Sequence, residues 1–252
     1  NAQPPAALVS RHLLSTFMSA ALLSALAQAI PDKVIADCSG SSSPPHLRGV
    51  DARGKMFMTM MVSHGGMGAS AHRDGHSTMS FPGNMATVAT EIAENRFPIR
   101  ILSRELICDS GGPGKYRGGL GVRLVMQYEG ERPAHASLSH ERVKFPARGL
   151  LGGHSGRPVG VLINDALPPF YKGTMEFQPG DVAISEAAGG GGFFPPEERD
   201  PERVLKDVVD GYVSLEKAEE VYRVAIRGEG MEIDWDETRR LREVARGDGR
   251  AG

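Results

Sequence analysis

The stretch from Cys108 to Val122, C-D-S-G-G-P-G-K-Y-R-G-G-L-G-V, constrains the fold more than any other part of the chain. Glycine stands at 111, 112, 114, 118, 119 and 121 with Pro113 among them, a composition that disfavours both helix and regular strand. Its flanks differ. Ile99 to Ile107 and Val122 to Tyr128 alternate apolar with polar residues, which predicts a strand, a long shaped loop and a second strand. Glycine brings no Cβ and tolerates positive φ, so the loop suits close backbone approach, with Asp109, Ser110, Lys115 and Arg117 adding charge and hydrogen-bonding groups. Two readings stand side by side: a glycine-rich structural turn, and a loop that meets a ligand or another subunit. The pattern G-x-x-x-x-G-K-[ST] of a phosphate-binding loop does not occur here.

Upstream, Ala6 to Ile30 has apolar residues on more than one side, interrupted by Ser10, Arg11, His12, Thr16 and Gln28, and it ends at Pro31. It predicts an amphipathic helix packed on more than one face, after an extended Asn1–Pro5 lead-in. A short strand is expected over Val34 to Cys38, a flexible loop over Ser39 to Pro45, and a central strand over Lys55 to Ser63 running into H-G-G-M-G-A at His64. His64, His72, Asp74 and His76 are close enough in sequence to raise a metal reading, against which stands that of loop histidines bonded to backbone. Ser80 to Asn84 reads as a turn. Thr87 to Asn95 reads as a helix with Glu91 and Glu94 on one face, an arrangement that suits acid–base work, a cation or plain solvent exposure.

Beyond the loop, Val122 to Gln127, Ala134 to Ser139, Gly160 to Ile163 and Val182 to Ser185 predict short strands, with Gln178–Asp181 as a turn preset by Pro179. From Asp200 the pattern turns helical. Asp200 is placed as N-cap and Pro201 as first helical residue, with Val204, Leu205, Val208 and Val209 on the buried face and Gly211 as the stop. Ser214 is expected to cap a helix through Val221, and Asp236 a third over Glu237 to Arg246 with Trp235 packed nearby. The fold class is therefore α+β: a mixed β-rich core with Gly-rich loops, an N-terminal apolar helix and C-terminal helices. Its expected division is one domain over 1–195, a helical extension of that domain over 196–246, and a disordered tail over 247–252.

The chain has 252 residues and a formal charge of −2 with both signs well mixed, so nothing in it calls for nucleic acid or a membrane surface. Cys38 and Cys108 are too few for a disulfide framework and fit a reducing, cytoplasmic setting. No G-x-S-x-G elbow, H-E-x-x-H helix or dinucleotide fingerprint is present.

D-S-G-G-P-G-K-Y-R-G-G-L-G resembles the signature of the hydantoinase B/oxoprolinase family, the B-type subunits of ATP-dependent N-methylhydantoinases, 5-oxoprolinases and related ketone carboxylases. The likeness extends to Asn1–Pro5, to H-G-G-M-G-A and Arg73-Asp74-Gly75, to E-x-x-E-x-x-F-P from Glu91 to Pro98, and to G-G-G-G from Gly189. It continues through E-R-D-P-E from Glu198 and D-V-V-D-G-Y-V-S from Asp207. Two departures stand out: a proline the family has near Ala89 is missing, and Arg223 replaces the glycine expected after the tyrosine.

The resemblance implies one half of a two-component machine. An A-type subunit uses ATP to phosphorylate the amide-derived oxygen of a small cyclic amide, and the B-type subunit completes ring opening by water. It implies a hetero-oligomer in which ATP and a divalent metal serve the complex without binding this chain directly. On it, Asp109, Lys115 and Arg117 are put forward for the chemistry, the two cations holding a phosphorylated anion. His64, Asp74, Ser110, Gly111 and Gly112 are put forward for substrate. No metal ligand is carried over, because the relatives' metal site lies in an N-terminal portion, and the chain reads as a C-terminal part. The alternatives are a subunit of a ketone carboxylase, which adds carbonate, and a non-catalytic assembly domain whose loops only bind the partner.

Overall fold

Val122–Tyr128 alternates fully buried with half-buried residues along its whole length, the burial pattern of a strand with one face on a core. In the computed structural model, which describes residues 11–248 apart from 43, 60, 84 and 229, it lies inside a sheet. The elements begin with α1 (Arg11–Leu26), β1 (Ser41–Ser42), β2 (His46–Val50), β3 (Met56–Met58), β4 (Ser63–His64), α2 (Thr90–Arg96), β5 (Ile99–Leu106) and β6 (Val122–Tyr128). They continue with β7 (Ala134–Ser139), β8 (Gly160–Ile163), β9 (Lys172–Phe177) and β10 (Val182–Glu186). The C-terminal part holds α3 (Pro201–Val209), α4 (Leu215–Glu220), β11 (Ile226–Arg227), β12 (Glu232–Ile233) and α5 (Trp235–Asp248).

Two antiparallel four-stranded sheets, ordered β5-β6-β10-β8 and β3-β2-β7-β9, share one apolar cluster. Ile99, Leu124, Met126, Val161 and Ala183 enter it from the first sheet, and Leu47, Ala134, Ala136 and Phe177 from the second. The sheets thus pack face to face, as the alternation on β6 and β7 requires. The fold is α+β, with helices set around this sandwich.

Several expectations change. The expected central strand over Lys55 to Ser63 is only the three-residue β3, at a sheet edge with Met56 and Met58 exposed, followed by the separate β4. Val34 to Cys38 is an extended segment with a single bridge from Ile35 to Ser70. Strands β2 and β9 have no counterpart in the sequence reading. Among the described side chains of α1, Leu23 packs in one cluster with Ala27 just beyond the helix, Phe17 meets the Arg142 guanidinium, and Met18 and Leu22 are exposed. Its expected start at Ala6, like the Asn1–Pro5 lead-in, lies outside the described residues. Helix α2 runs over Thr90–Arg96, with the Glu94 carboxylate accepting the Ile101 amide and closing the helix onto β5.

The C-terminal capping follows from the residues. Asp200 accepts the Glu202 amide at 2.9 Å ahead of Pro201, Gly211 adopts φ 74° after α3, and Ser214 accepts the Lys217 amide at 3.1 Å. Val204 and Val208 are buried with Tyr222, Val224 and Ile226, whereas Val209 faces solvent. The third helix starts earlier than expected because Asp234, not Asp236, accepts the Glu237 amide, and Trp235 is half-exposed rather than packed. It extends to Asp248, into the stretch expected to be a disordered tail; residues 249–252 lie outside the described residues. Among the described residues no helix is long and apolar enough to cross a membrane.

Candidate functional site

The glycine loop packs backbone against backbone. Gly112 donates to the Gly190 carbonyl at 2.8 Å, Gly190 to Gly119 at 2.9 Å, and Gly119 to Met67 at 2.8 Å, so three distant glycine segments form successive layers. A Cβ placed on Gly118 or Gly190 would fall under 3.0 Å from backbone of Gly190 or Met67, with no flexible side chain to move aside. Neither residue has positive φ. These glycines are required for what they lack, not for an unusual conformation. Further layers come from Gly191, which donates to Asp37, and Gly192, which donates to His154. The loop is the middle of a side-chain-free interior built from the H-G-G-M-G-A, R-G-L-L-G-G-H and A-A-G-G-G-G segments.

Its polar residues are divided among different jobs. Ser110 is fully buried; its hydroxyl donates to the Ile107 carbonyl at 2.6 Å and accepts the Gly121 amide at 2.8 Å, tying the two ends of the loop together. Asp109, at φ 59°, donates its amide to Tyr212 and accepts the Ser214 amide at 2.9 Å on its carboxylate, which couples the loop to the start of α4. Arg117 is buried. Its Nε and Nη2 each lie 3.2 Å from the Asp207 carboxylate, Nη1 donates to Gly118, and its backbone amide donates to Asp74 at 2.7 Å.

Arg117 belongs to a larger network. Arg199, almost wholly buried, bridges Asp207 at 2.7 Å and Asp74 at 2.8 and 2.9 Å, and Arg203 adds a contact to Asp74 at 2.7 Å. Burial alone would push the Asp74 carboxyl up, but the guanidiniums of Arg199, Arg203 and Arg117 outweigh it and hold it below the usual range. This chain of alternating charges locks the glycine loop and the Asp74 turn to α3. Sequence reasoning missed Arg199 and Asp207 as its centre, although both fall in E-R-D-P-E and D-V-V-D-G-Y-V-S. A cluster of this kind is costly to break, because removing one member strands a buried charge.

Three cavities receive the remaining candidates. A cavity of about 300 Å³ is lined by His64 with Ser63, Thr78, Thr87, Arg104 and Glu105. His64 is buried and neither ring nitrogen completes a hydrogen bond among the described residues. Burial lowers its pKa, and the nearby Met85 backbone acts in the opposite sense. A second cavity, about 270 Å³, is lined by Asp109 and Gly111 with His154, Ser155, Arg157 and Lys217. Lys115 lines a third, open one with Tyr116, Glu198, Arg203 and Trp235, and pairs with Glu198 at 3.3 Å where both side chains are half-exposed.

The residues put forward for chemistry and substrate therefore do not converge. His64, the pair Asp109 and Gly111, and Lys115 face three cavities, while Asp74, Ser110, Gly112 and Arg117 hold loop and network together. Asp74 lies in the ion-pair network rather than beside His64, and among the described residues no group of three or more His, Cys, Asp or Glu is placed to hold a metal ion. The described residues thus do not fit the divalent metal that the resemblance assigns to the complex.

The family described as Hydantoinase B/oxoprolinase matches residues 1–196. The chain is 28% identical to the B-type component of a putative D-/L-hydantoinase from a Pseudomonas strain, over 95% of this chain and 41% of that protein. It is 27% identical to the acetophenone carboxylase delta subunit of Aromatoleum aromaticum, over 95% of this chain and 41% of that one. The crystal structure of ATP-dependent caprolactamase from Pseudomonas jessenii superposes with a TM-score of 0.74 at 28% identity, covering 87% of this chain and 40% of that chain. The chain spans less than half the length of each of these relatives. With its layered glycine segments and a match over most of its length, the chain belongs to the hydantoinase B/oxoprolinase family.

Proposed function

We propose that this chain is part of the B-type component of a cytoplasmic, ATP-dependent enzyme that opens a small cyclic amide such as 5-oxoproline, hydantoin or a similar lactam or imide. The observation that carries the reading is the match to the ATP-dependent caprolactamase structure over 87% of this chain, at an identity above that of fold likeness alone. An unstrained amide is a poor electrophile. Converting its oxygen to a phosphate leaving group lowers the barrier to attack by water, and an A-type partner would supply that step from ATP, with ATP and the divalent metal held outside this chain. Here the protein must hold an anionic ring and admit water. Of the residues put forward for chemistry, Lys115 has its charge in reach of solvent, Asp109 borders a cavity, and Arg117 acts from the interior by fixing the loop. The similarity to a carboxylase subunit supports a second reading, in which a ketone and carbonate replace the cyclic amide and water. An assembly role without chemistry is the third.

The test is phosphate release with ATP and either 5-oxoproline or hydantoin, using the complete B-type protein with its A-type partner, and this chain alone as control. Ring-opened product from the complex and none from the chain alone is expected. Turnover only with a ketone and bicarbonate would replace the hydrolase reading with the carboxylase. In the complex, Lys115→Ala is expected to lower kcat/KM at least tenfold, about 1.4 kcal/mol, with little change in melting temperature. Arg117→Ala is expected to cost stability first, about 3 to 5 kcal/mol, because it leaves Asp207 half-answered. An Arg117→Ala protein as stable as the wild type would remove the interior role given to it.

A further inference from the structure

The cavity at His64 carries an unbalanced charge. Glu105, on its wall, lies 3.7 Å from Arg123, which is shared with Glu186 at 2.5 Å, while Arg157 answers the other oxygen of Glu186 at 2.6 Å. Those carboxylates and guanidiniums balance one another. Arg104, on the same wall, makes no side-chain hydrogen bond or ion pair among the described residues. An unanswered guanidinium at a concave site is a fork waiting for a planar anion.

The rest of the wall is polar on one side and apolar on the other. Ser63, Thr78 and Thr87 bring hydroxyls, and Leu106 and Val122 bring aliphatic surface. Thr78 holds φ 55°, a conformation that a β-branched residue adopts only where its surroundings impose it. His64 adds a buried ring whose nitrogens complete no hydrogen bond of good geometry among the described residues, with the Met85 backbone nearby. At about 300 Å³ the space sits at the small end of ligand cavities, which run from roughly 300 to 1,000 Å³, and suits one ring with a single substituent.

We propose that this cavity binds a compact molecule bearing a carboxylate, with Arg104 as the anion contact and His64 and the three hydroxyls receiving the polar remainder. The inference rests on the cyclic-amide reading only for which remainder that is: a ring amide next to the carboxylate. Within that reading it separates carboxylate-bearing rings from neutral ones, a choice set by Arg104 rather than by the glycine layers.

The test is titration of the chain with 5-oxoproline and with 2-pyrrolidinone, the same ring without its carboxylate, followed by calorimetry and by the His64 ring signals in NMR. 5-Oxoproline is expected to bind at least tenfold more tightly and to shift the His64 signals. Arg104→Gln, an exposed change that leaves the fold intact, is expected to bring the two ligands to equal affinity. Equal affinity in the wild-type chain, no binding of 5-oxoproline, or a preference that survives Arg104→Gln each overturns the proposal. The functional reading fails separately: it falls if the complex opens no cyclic amide with ATP, whatever this cavity binds, and it survives if the complex opens neutral rings as fast as acidic ones, which sinks the cavity assignment alone.

Discussion

The sandwich and the glycine layers are two interiors in one chain, built by opposite means. In the sandwich, Leu47, Leu124, Met126 and Phe177 fill the space between sheets, and stability comes from apolar surface removed from water. In the layers, Gly66, Gly118, Gly119 and Gly190 leave no space to fill, and backbone amides of one segment meet carbonyls of the next. The first tolerates a change of side-chain size by rearranging rotamers. The second has no rotamers to rearrange, so an added carbon must move a whole segment and break its hydrogen bonds.

The sharpest way to break this contrast is to add one carbon to the layers and remove several from the sandwich. Gly118→Ala is expected to cost roughly 4 kcal/mol or more, enough to unfold a protein of ordinary stability, because its Cβ meets the Gly190 carbonyl. Leu124→Ala, which deletes far more volume, is expected to cost about 2 to 5 kcal/mol. Gly54→Ala is the control, since nothing lies within 4 Å of its Cβ and only its φ of 77° opposes the change, at about 1 kcal/mol. Urea melts of the three variants check the order. A folded, near-wild-type Gly118→Ala protein would dissolve the distinction.

A second, smaller effect is read by pH, at a buried histidine outside the glycine layers. His140, just past β7, is buried with both ring nitrogens unpartnered, and burial, assisted by the charge of His46, pushes its pKa down from 6.5 to about 4. A depressed histidine is neutral in the folded state and takes up a proton on unfolding. Stability is therefore complete above pH 6.5 and falls as the pH drops towards 4, by about 2 kcal/mol at pH 5. His140→Leu is expected to flatten that part of the curve at little cost to stability at pH 7, since it also removes the unpartnered nitrogens. Chemical melts at pH 7 and pH 5 decide it, and an unchanged slope in the variant would point to another group.

How far the sequence could be read follows the same division. Strands β6, β7, β8 and β10 announce themselves because one face is buried and the residues alternate. Strand β2 hides Gly49 and Arg48 in its middle, and β9 is K-G-T-M-E-F at a sheet edge, so neither shows the period that burial imprints. The helix caps at Asp200 and Ser214 were readable because they depend on residues a few positions apart. The layered packing was not, because a glycine that admits a turn and one that admits another backbone look alike in one dimension. The ion-pair network fails for the same reason: Asp74, Arg117, Arg199 and Asp207 are charged residues in loops and helix ends until the fold brings them within 3.2 Å. Candidates chosen for charge and for proximity to glycine were thus spread over three cavities and one structural cluster.

The smallest effect tests whether glycine can also improve this protein, at a position where conformation and not contact is the demand. Arg223 follows buried Tyr222 and holds φ 56°, in the left-handed region where a side chain costs about 1 to 2 kcal/mol. The family resemblance expects glycine there. Arg223→Gly relieves the backbone, but it also frees the unfolded chain, which returns about 0.5 to 1 kcal/mol of the gain. The net expectation is a stabilisation of about 0.5 to 1 kcal/mol, seen as a rise of a few degrees in melting temperature. Arg223→Ala separates the two causes: it keeps the strained φ and removes only the charged side chain, so it is expected to leave stability unchanged within about 0.5 kcal/mol. If alanine stabilises as much as glycine, the arginine side chain is the cost, and the left-handed turn after Tyr222 asks nothing of its residue.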